Sequence, residues 1–364
     1  MKIAIFHNYM DNIGGAEIVG LTLARELGAD FYTTNIDKDK IEKMGFSGIN
    51  LKSIGSIPIN APFRQQAALW RFRQLNLKGK YDIFIIGGDW AVSGAVNNKP
   101  NLWYVHSPIR EIWDLYEYTK ENIVHSSRRW LFDLWVFYNR YLNKKYVAHV
   151  DKIVCNSENT RKRVKKYLKR EAVVIHPPTE TSKYYYGRAG DYWLSVNRLF
   201  YHKRIDMQMK AFAEIPDEKL ILVGSYERSE HFQAYAEYCK KIKPENVEIL
   251  SWVDRRKLIE LYANCKGFIT TSQDEDFGMA PVEAMACGKP VIAPNEGGYK
   301  ETIVDGVTGR LIDDINADKL AVAVKAMAKD TQKYKDACIE QAAKFDTEIF
   351  IKKIREQIGD FCGG

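Results

Sequence analysis

Long hydrophobic runs are missing from this chain. No run reaches the roughly 18 consecutive apolar residues that a membrane-spanning helix needs, so no such span is expected. The opening residues, MKIAIFHNYM, lack the apolar core and small-residue cleavage site of a secretory leader and read as a first strand. Cysteine is sparse and scattered. The six (Cys155, Cys239, Cys265, Cys287, Cys338 and Cys362) form no CxxC pair and have no histidine at metal-ligand spacing. Reduced structural thiols in a cytoplasmic protein are the expectation. A GxGxxG fingerprint is lacking after the first strand, where Gly14–Gly15 stands instead, which argues against an NAD enzyme. No nucleic-acid-binding signature accompanies the net charge of +7, so no nucleic-acid partner is expected. The basic run RKRVKKYLKR (161–170) reads as a solvated helix face, with attraction to anionic lipid as the alternative.

What is present is a repeated alternation of short apolar runs and helical patterns. KIAIF (2–6), DIFIIGG (82–88), NLWYVH (101–106) and KIVCNS (152–157) read as strands, and AEIVGLTLAREL (16–27) as a helix. The pattern stops at the double proline of VVIHPP (173–178) and restarts with DYWLSVNRL (191–199), LILVGS (220–225), VEILSWV (247–253), GFITTS (267–272) and PVIAP (290–294). At 364 residues two domains are expected. The fold class is α/β: two doubly wound, Rossmann-like parallel-sheet domains facing across a cleft, 1–180 and 190–345, with a linker near 177–190. DTEIFIKKIREQIGDF (346–361) reads as an amphipathic helix. Ligands of such sheets bind beyond the carboxyl ends of the strands, where Gly14, Gly15, His106, Arg198, Gly224, Trp252 and Glu275 fall.

The most informative stretch is SQDEDFGMAPVEAMACGKPVIAPNEGG (272–298). Glu275 ends a loop, and Glu283 follows eight residues later. Pro281 at a first helical position would put Glu283 at the third. Glu283 then either supports its own helix terminus as a capping-box glutamate or accepts bonds from two ribose hydroxyls. The acids of DED (274–276) either complement the helix's positive end or form an Asp-x-Asp metal site. Arg198 and Lys203 in NRLFYHKR are a surface helix start or a pair of cations for a diphosphate leaving group. Gly14–Gly15 serves a tight turn or lets a phosphate or acceptor approach the backbone. His106 opens HSPIREIWDLY, with Arg110 and Asp114 close by, and is a structural histidine or a hydrogen-bond partner of a sugar. Two segments mix aromatic and basic residues. FRQQAALWRFRQ (63–74) suits a membrane interface, whereas RRWLFDLWVFYNRYLNKKY (128–146) is apolar nearly all round and reads as a buried helix.

With these residues in place, the chain resembles the retaining glycosyltransferases of family 4, of the GT-B class. The likeness spans nearly the whole chain: GGAE, HSPIREIWDLY, NRLFYHKR, EDFGMAPVE, and Gly297–Gly298 followed by ETIVDGVTG. HSPIREIWD and PVEAMACGKPVIA are similar to mannosyltransferases of surface-polysaccharide assembly. The resemblance implies a retaining reaction that needs no metal or other cofactor. Glu275 would hold sugar hydroxyls, helped by backbone N–H groups of Phe277, Gly278 and Met279, and Glu283 would hold the ribose. Arg198 and Lys203 would take the diphosphate and Trp252 and Val253 the base, with Gly15 and Gly224 also on the donor side. Gly14, Arg110 and Asp114 would face the acceptor, and the helix in 346–364 would cross back to the first domain. The polar bridge KYYYGRAG (183–190) departs from the pattern and has no assigned role. The expected reaction moves a hexose, mannose from GDP-mannose foremost, to a glycan or polyprenol-linked acceptor. The expected location is the cytoplasm at the inner face of the membrane, with peripheral contact through the basic-aromatic segments. A nucleotide-sugar-binding protein without turnover and a nucleotide-sugar epimerase are the alternatives.

Overall fold

A computed structural model describes residues 1–224 and 230–361. Ser225, at the end of one expected strand, and Cys362 lie outside the described residues. The chain divides into two compact units, Met1–His176 with Phe350–Gly364, and Pro177–Ile349.

The first unit carries seven parallel strands: β1 (Ile3–Met10), β2 (Asp30–Ile36), β3 (Leu51–Ser53), β4 (Ile83–Ile86), β5 (Asn101–Val105), β6 (Lys152–Cys155) and β7 (Val173–Val174). Their order is β3-β2-β1-β4-β5-β6-β7. β4 and β5 are buried throughout, as strands covered by helices on both faces must be, and this is why they read as unbroken apolar runs. Among the covering helices are α1 (Gly15–Leu27), α2 (Phe63–Gln74) and α3 (Arg129–Val147). Phe6, Phe72, Phe84, Trp90 and Trp103 fill the core beneath them.

The second unit repeats the plan with β8 (Tyr192–Val196), β9 (Lys219–Val223), β10 (Val247–Leu250), β11 (Phe268–Ile269), β12 (Val291–Pro294) and β13 (Gly309–Ile312), ordered β10-β9-β8-β11-β12-β13. Its helices include α4 (Ile205–Ala213), α5 (Arg255–Asn264) and α6 (Met279–Ala286). One core lies on each face of the sheet, around Trp193 and Phe212 on one side and Tyr262 and Phe268 on the other. The last helix, α7 (Thr347–Gly359), enters the first unit at Phe350. There Phe350 meets Tyr104 edge-on at 5.7 Å, and Arg355 donates to the Glu26 carbonyl at 3.2 Å. Both units are therefore Rossmann-like parallel sheets. Each sheet reverses its strand order once, between β1 and β4 and between β8 and β11, and the crevice at such a reversal is where open parallel sheets bind ligands.

Three features depart from the sequence reading. β2, β3 and β13 are absent from the apolar runs. β2 hides in DFYTTNI because its buried Thr34 hydroxyl is satisfied by the Asn8 carbonyl at 2.7 Å. The second aromatic segment is not a buried helix. α3 buries Val136, Asn139, Leu142, Asn143, Tyr146 and Val147 and turns an aromatic face to solvent. KYYYGRAG packs against the second unit. Gly187 and Gly190 donate to the carbonyls of Ala263 and Asn264 (both 3.0 Å), and Tyr184 enters the core beside Tyr262. Among the described residues no helix is long and apolar enough to cross a membrane, and the five described cysteines are buried thiols.

Candidate active site

At the strand reversal of the second unit, the loop after β8 meets the loop after β11. Backbone and side-chain bonds fasten the two together. Gln273 donates its N–H to the His202 carbonyl at 2.7 Å, and the Thr271 hydroxyl donates to the Lys203 carbonyl at 2.7 Å. Arg204, in the left-handed region at φ 51°, sends its Nε to the Thr271 carbonyl at 2.6 Å and pairs with Glu296. This clamp sets Lys203 Nζ 2.6 Å from Glu275 Oε2, with both side chains mostly buried. Burial alone would raise the Glu275 carboxyl. The Lys203 ammonium overcomes that and holds it down to about 2, so Glu275 is a carboxylate throughout the physiological range.

Behind Glu275 the chain turns into α6 through Gly278, at φ +89°. A side chain there would be strained, and its Cβ would lie 2.7 Å from the Tyr299 ring. Gly278, the residue before α6, has no side chain to cap it, and the first turn of α6 carries backbone N–H groups and the positive end of its dipole beside the Glu275 loop. Gly298 completes the packing: a Cβ on it would fall 2.5 Å from both the Asp276 carbonyl oxygen and Phe277 Cα. Phe277 is buried against Phe345, and this anchors the loop.

Glu283 requires a correction. α6 begins at Met279, so Pro281 is its third residue and Glu283 its fifth. A proline fits there because the N–H groups of a helix's first turn have no intrahelical partner. Glu283 is thus not a capping-box residue. Its two oxygens are bound by Arg255 Nη1 (3.0 Å) and the Tyr262 hydroxyl (2.9 Å), and 8 % of the residue is exposed. Arg255 in turn lies over the Tyr184 ring at 5.3 Å, which gives the polar bridge a structural role: it walls the Glu283 cluster. Despite the cost of burial, Glu283 keeps Arg255 protonated above its ordinary range. Of the other donor candidates, Arg198 is part-buried in the loop that carries Lys203. Trp252 is 40 % exposed in the loop after β10, next to the part-buried Val253. Gly224 follows β9 where a Cβ would stand 2.9 Å from the Asn197 carbonyl oxygen, so packing alone demands glycine there.

In the first unit the sequence-predicted residues gather at the other strand reversal. Gly14 caps α1, and its N–H donates to Glu17 Oε2 at 2.8 Å, so GGAE makes the return half of a capping box, the only half a glycine cap allows, and Gly15 follows as the first helical residue. Glu17 also reaches His7 Nε2 at 3.2 Å. His106, at the end of β5, stacks edge-on to Tyr104 at 5.1 Å. Burial, then repulsion from His7, lowers its pKa to about 3, so the imidazole is neutral and offers one donor and one acceptor. Arg110 grips Asp114 Oδ2 at 2.8 and 2.9 Å, and Arg163 approaches the same oxygen at 3.7 Å.

Sequence reasoning missed His7, Glu17, Asp89, Glu111, Arg204 and Arg255. The acid in GGDW and the acid in PIRE were visible as residues, but only tertiary structure brings Asp89 and Glu111 together. Burial, reinforced by Asp89, pushes the Glu111 carboxyl up to about 7. An acid whose pKa is raised by folding weakens the fold as pH climbs from its ordinary value of 4.5 through 7. Glu111→Gln should therefore leave the urea midpoint unchanged near pH 4 and raise stability at pH 8. The gain should be about 1–2 kcal/mol, after a discount for partial exposure. An equal shift at both values would contradict this assignment.

Residues 13–183 match Glycosyltransferase Family 4, and residues 189–345 match Glycosyl transferases group 1. An uncharacterized glycosyltransferase of Methanocaldococcus jannaschii is 28 % identical over 61 % of this chain and 64 % of its own length. The alpha-1,3/1,6-mannosyltransferase ALG2 of Candida glabrata is 27 % identical over 84 % of this chain and 78 % of its own. The first of these relatives is thus spanned over less than two thirds of its length. In fold, the chain is similar to Anabaena HepE solved with UDP and glucose (TM-score 0.78, 20 % identity, 99 % of both chains). It is also similar to the sucrose-phosphate synthase of Thermosynechococcus elongatus (TM-score 0.77, 18 % identity, all of both chains). With two family matches that together span nearly all of it, and with a GT-B fold, the chain belongs to the family 4 glycosyltransferases.

Proposed function

We propose that this glycosyltransferase moves mannose from GDP-mannose to a glycan or polyprenol-linked acceptor with retention of configuration, at the inner face of a membrane. The observation that carries the reading is the Lys203–Glu275 pair at 2.6 Å, set before the glycine-capped start of α6 with Glu283 on the same helix. An ammonium, a helix dipole and two carboxylates in sequence match the parts of a sugar nucleotide: diphosphate, hexose hydroxyls and ribose hydroxyls. In the transfer, the bond between sugar C1 and the diphosphate oxygen breaks. The acceptor oxygen bonds to C1 on the same face, and its proton passes to the departing diphosphate. Lys203 and Arg198 stabilise the charge that grows on that diphosphate. No metal enters this scheme. The likeness to ALG2 over most of both chains supports mannose.

A UDP-sugar is the second reading, because Anabaena HepE was solved with UDP and glucose. A thermal-shift series with GDP, UDP and ADP and their common sugar derivatives separates the two. At about 100 times its Kd, the true donor adds about 2.7 kcal/mol to the folded state. That corresponds to a rise of about 5–10 °C in Tm. GDP-mannose is expected to give this rise, and a larger rise with a UDP-sugar would overturn the mannose assignment.

A further inference from the structure

Helix α3 reverses the usual pattern of a surface helix. Its inner face is buried on the first unit's core, and the outer face ought to be polar. Instead, Trp130, Leu131, Leu134, Phe137, Tyr138 and Tyr141 recur at helical spacing on the outer face, each 47–77 % exposed. With about 200 Å² for a fully exposed aromatic ring, the four aromatics alone present about 500 Å² to solvent. The two leucines take the patch beyond the roughly 300–600 Å² of the largest apolar patch on a typical monomer. The same face ends in exposed Lys144 and Lys145 and is preceded by exposed Arg128. The helix has one acid, Asp133, which Lys120 already pairs at 2.8 Å. Helix α2, tied to α3 by Gln66 Nε2 on Asn139 Oδ1 at 2.7 Å, adds exposed Phe63, Trp70 and Arg71, while its Arg64 is turned inward to Asp11.

We infer that the outer face of α3, with α2 beside it, docks this chain on an anionic lipid bilayer. Charge complementarity selects that occupant. A protein partner of matching apolar shape would not require cations at both ends of the helix. Headgroup phosphates do, and rings with a polar edge, such as those of Trp and Tyr, settle at the level of those headgroups. The inference rests on the first unit's surface and holds whichever sugar is transferred.

The full-length protein is tested by co-sedimentation with vesicles of phosphatidylcholine alone and with about 30 % phosphatidylglycerol, without donor or acceptor. Binding to the anionic vesicles and much weaker binding to the neutral ones is expected. W130S/F137S/Y141S should lower partitioning about tenfold or more, because the lost rings are the inserted surface. K144E/K145E should remove the preference for anionic vesicles. All of these side chains are exposed, so the unfolding midpoint should not move. Three results would overturn the inference: no sedimentation with either vesicle, unchanged binding by the serine variant, or a wild-type dimer in sedimentation equilibrium that the serine variant makes monomeric. The last would assign the face to a second copy of the chain.

Discussion

Replacing Glu275 by glutamine is expected to lower kcat by about 10³ while leaving the affinity for a nucleoside diphosphate without sugar within about threefold of wild type. The expectation follows from what the charge does during transfer. As the glycosidic bond breaks, the sugar ring becomes electron-poor and its hydroxyls become stronger donors, so a carboxylate that accepts from them binds the transition state better than the ground state. Glutamine keeps the shape and can still accept a hydrogen bond, but it has lost the charge. Because Lys203 pulls the Glu275 carboxyl down to about 2, the acid is an anion whenever the enzyme works, and glutamine cannot imitate a protonated resting form. A variant that kept wild-type kcat would remove Glu275 from the site. A variant that lost nucleotide affinity as severely as turnover would point instead to a collapsed loop.

Lys203→Met should produce the second large effect, and it has two readouts. The first is a loss of about 10²–10³ in kcat/KM, because a fixed cation at the leaving diphosphate is gone. The second is a stability loss that depends on pH. In the wild type the folded carboxyl of Glu275 lies below its ordinary value of 4.5, so the pair's contribution is fully present above that value and is lost only as pH falls toward 2. Without the ammonium, burial alone acts on Glu275, and its pKa in the folded state rises. Holding that unpaired charge should cost about 2–3 kcal/mol at pH 7, or about 5–10 °C in Tm for a domain of this size. The deficit should shrink as the pH is lowered toward 5, where the stranded carboxyl takes up a proton. A deficit of the same size at pH 5 and pH 7 would mean that the two groups are not coupled as their 2.6 Å separation implies.

The sheets were readable where physics made them simple. Central parallel strands are buried on both faces, so IFII in β4 and VIAP in β12 stand out as apolar runs between helical patterns. β2 escaped because its buried Thr33 and Thr34 break the apolar run, the Thr34 hydroxyl being satisfied by the Asn8 carbonyl, and β13 because it is an edge strand with Arg310 exposed. The start of α6 was misread by two residues. Pro281 signals a first turn without saying which residue of that turn it occupies, and the positive φ of Gly278 decided the matter. Helical spacing located α3 correctly, yet a helix apolar on both sides does not reveal which side the core will take. The partners of the predicted site residues were least legible. Arg255 and Tyr262 lie 28 and 21 residues from Glu283 in sequence, and Glu17 meets His7 only because α1 folds back on β1.

Transfer by this site requires one arrangement: Lys203 on a diphosphate, Glu275 on the transferred sugar and Glu283 on the ribose of one nucleotide. The most direct measurement is a crystal structure of the protein with whichever nucleotide-sugar gives the largest thermal shift. The predicted result has the diphosphate oxygens within hydrogen-bond distance of Lys203 Nζ, sugar hydroxyls on the Glu275 carboxylate, and ribose hydroxyls on a Glu283 that has surrendered contacts with Arg255 or Tyr262. A nucleotide bound elsewhere, with the Lys203–Glu275 contact still at 2.6 Å and both Glu283 bonds intact, would contradict it.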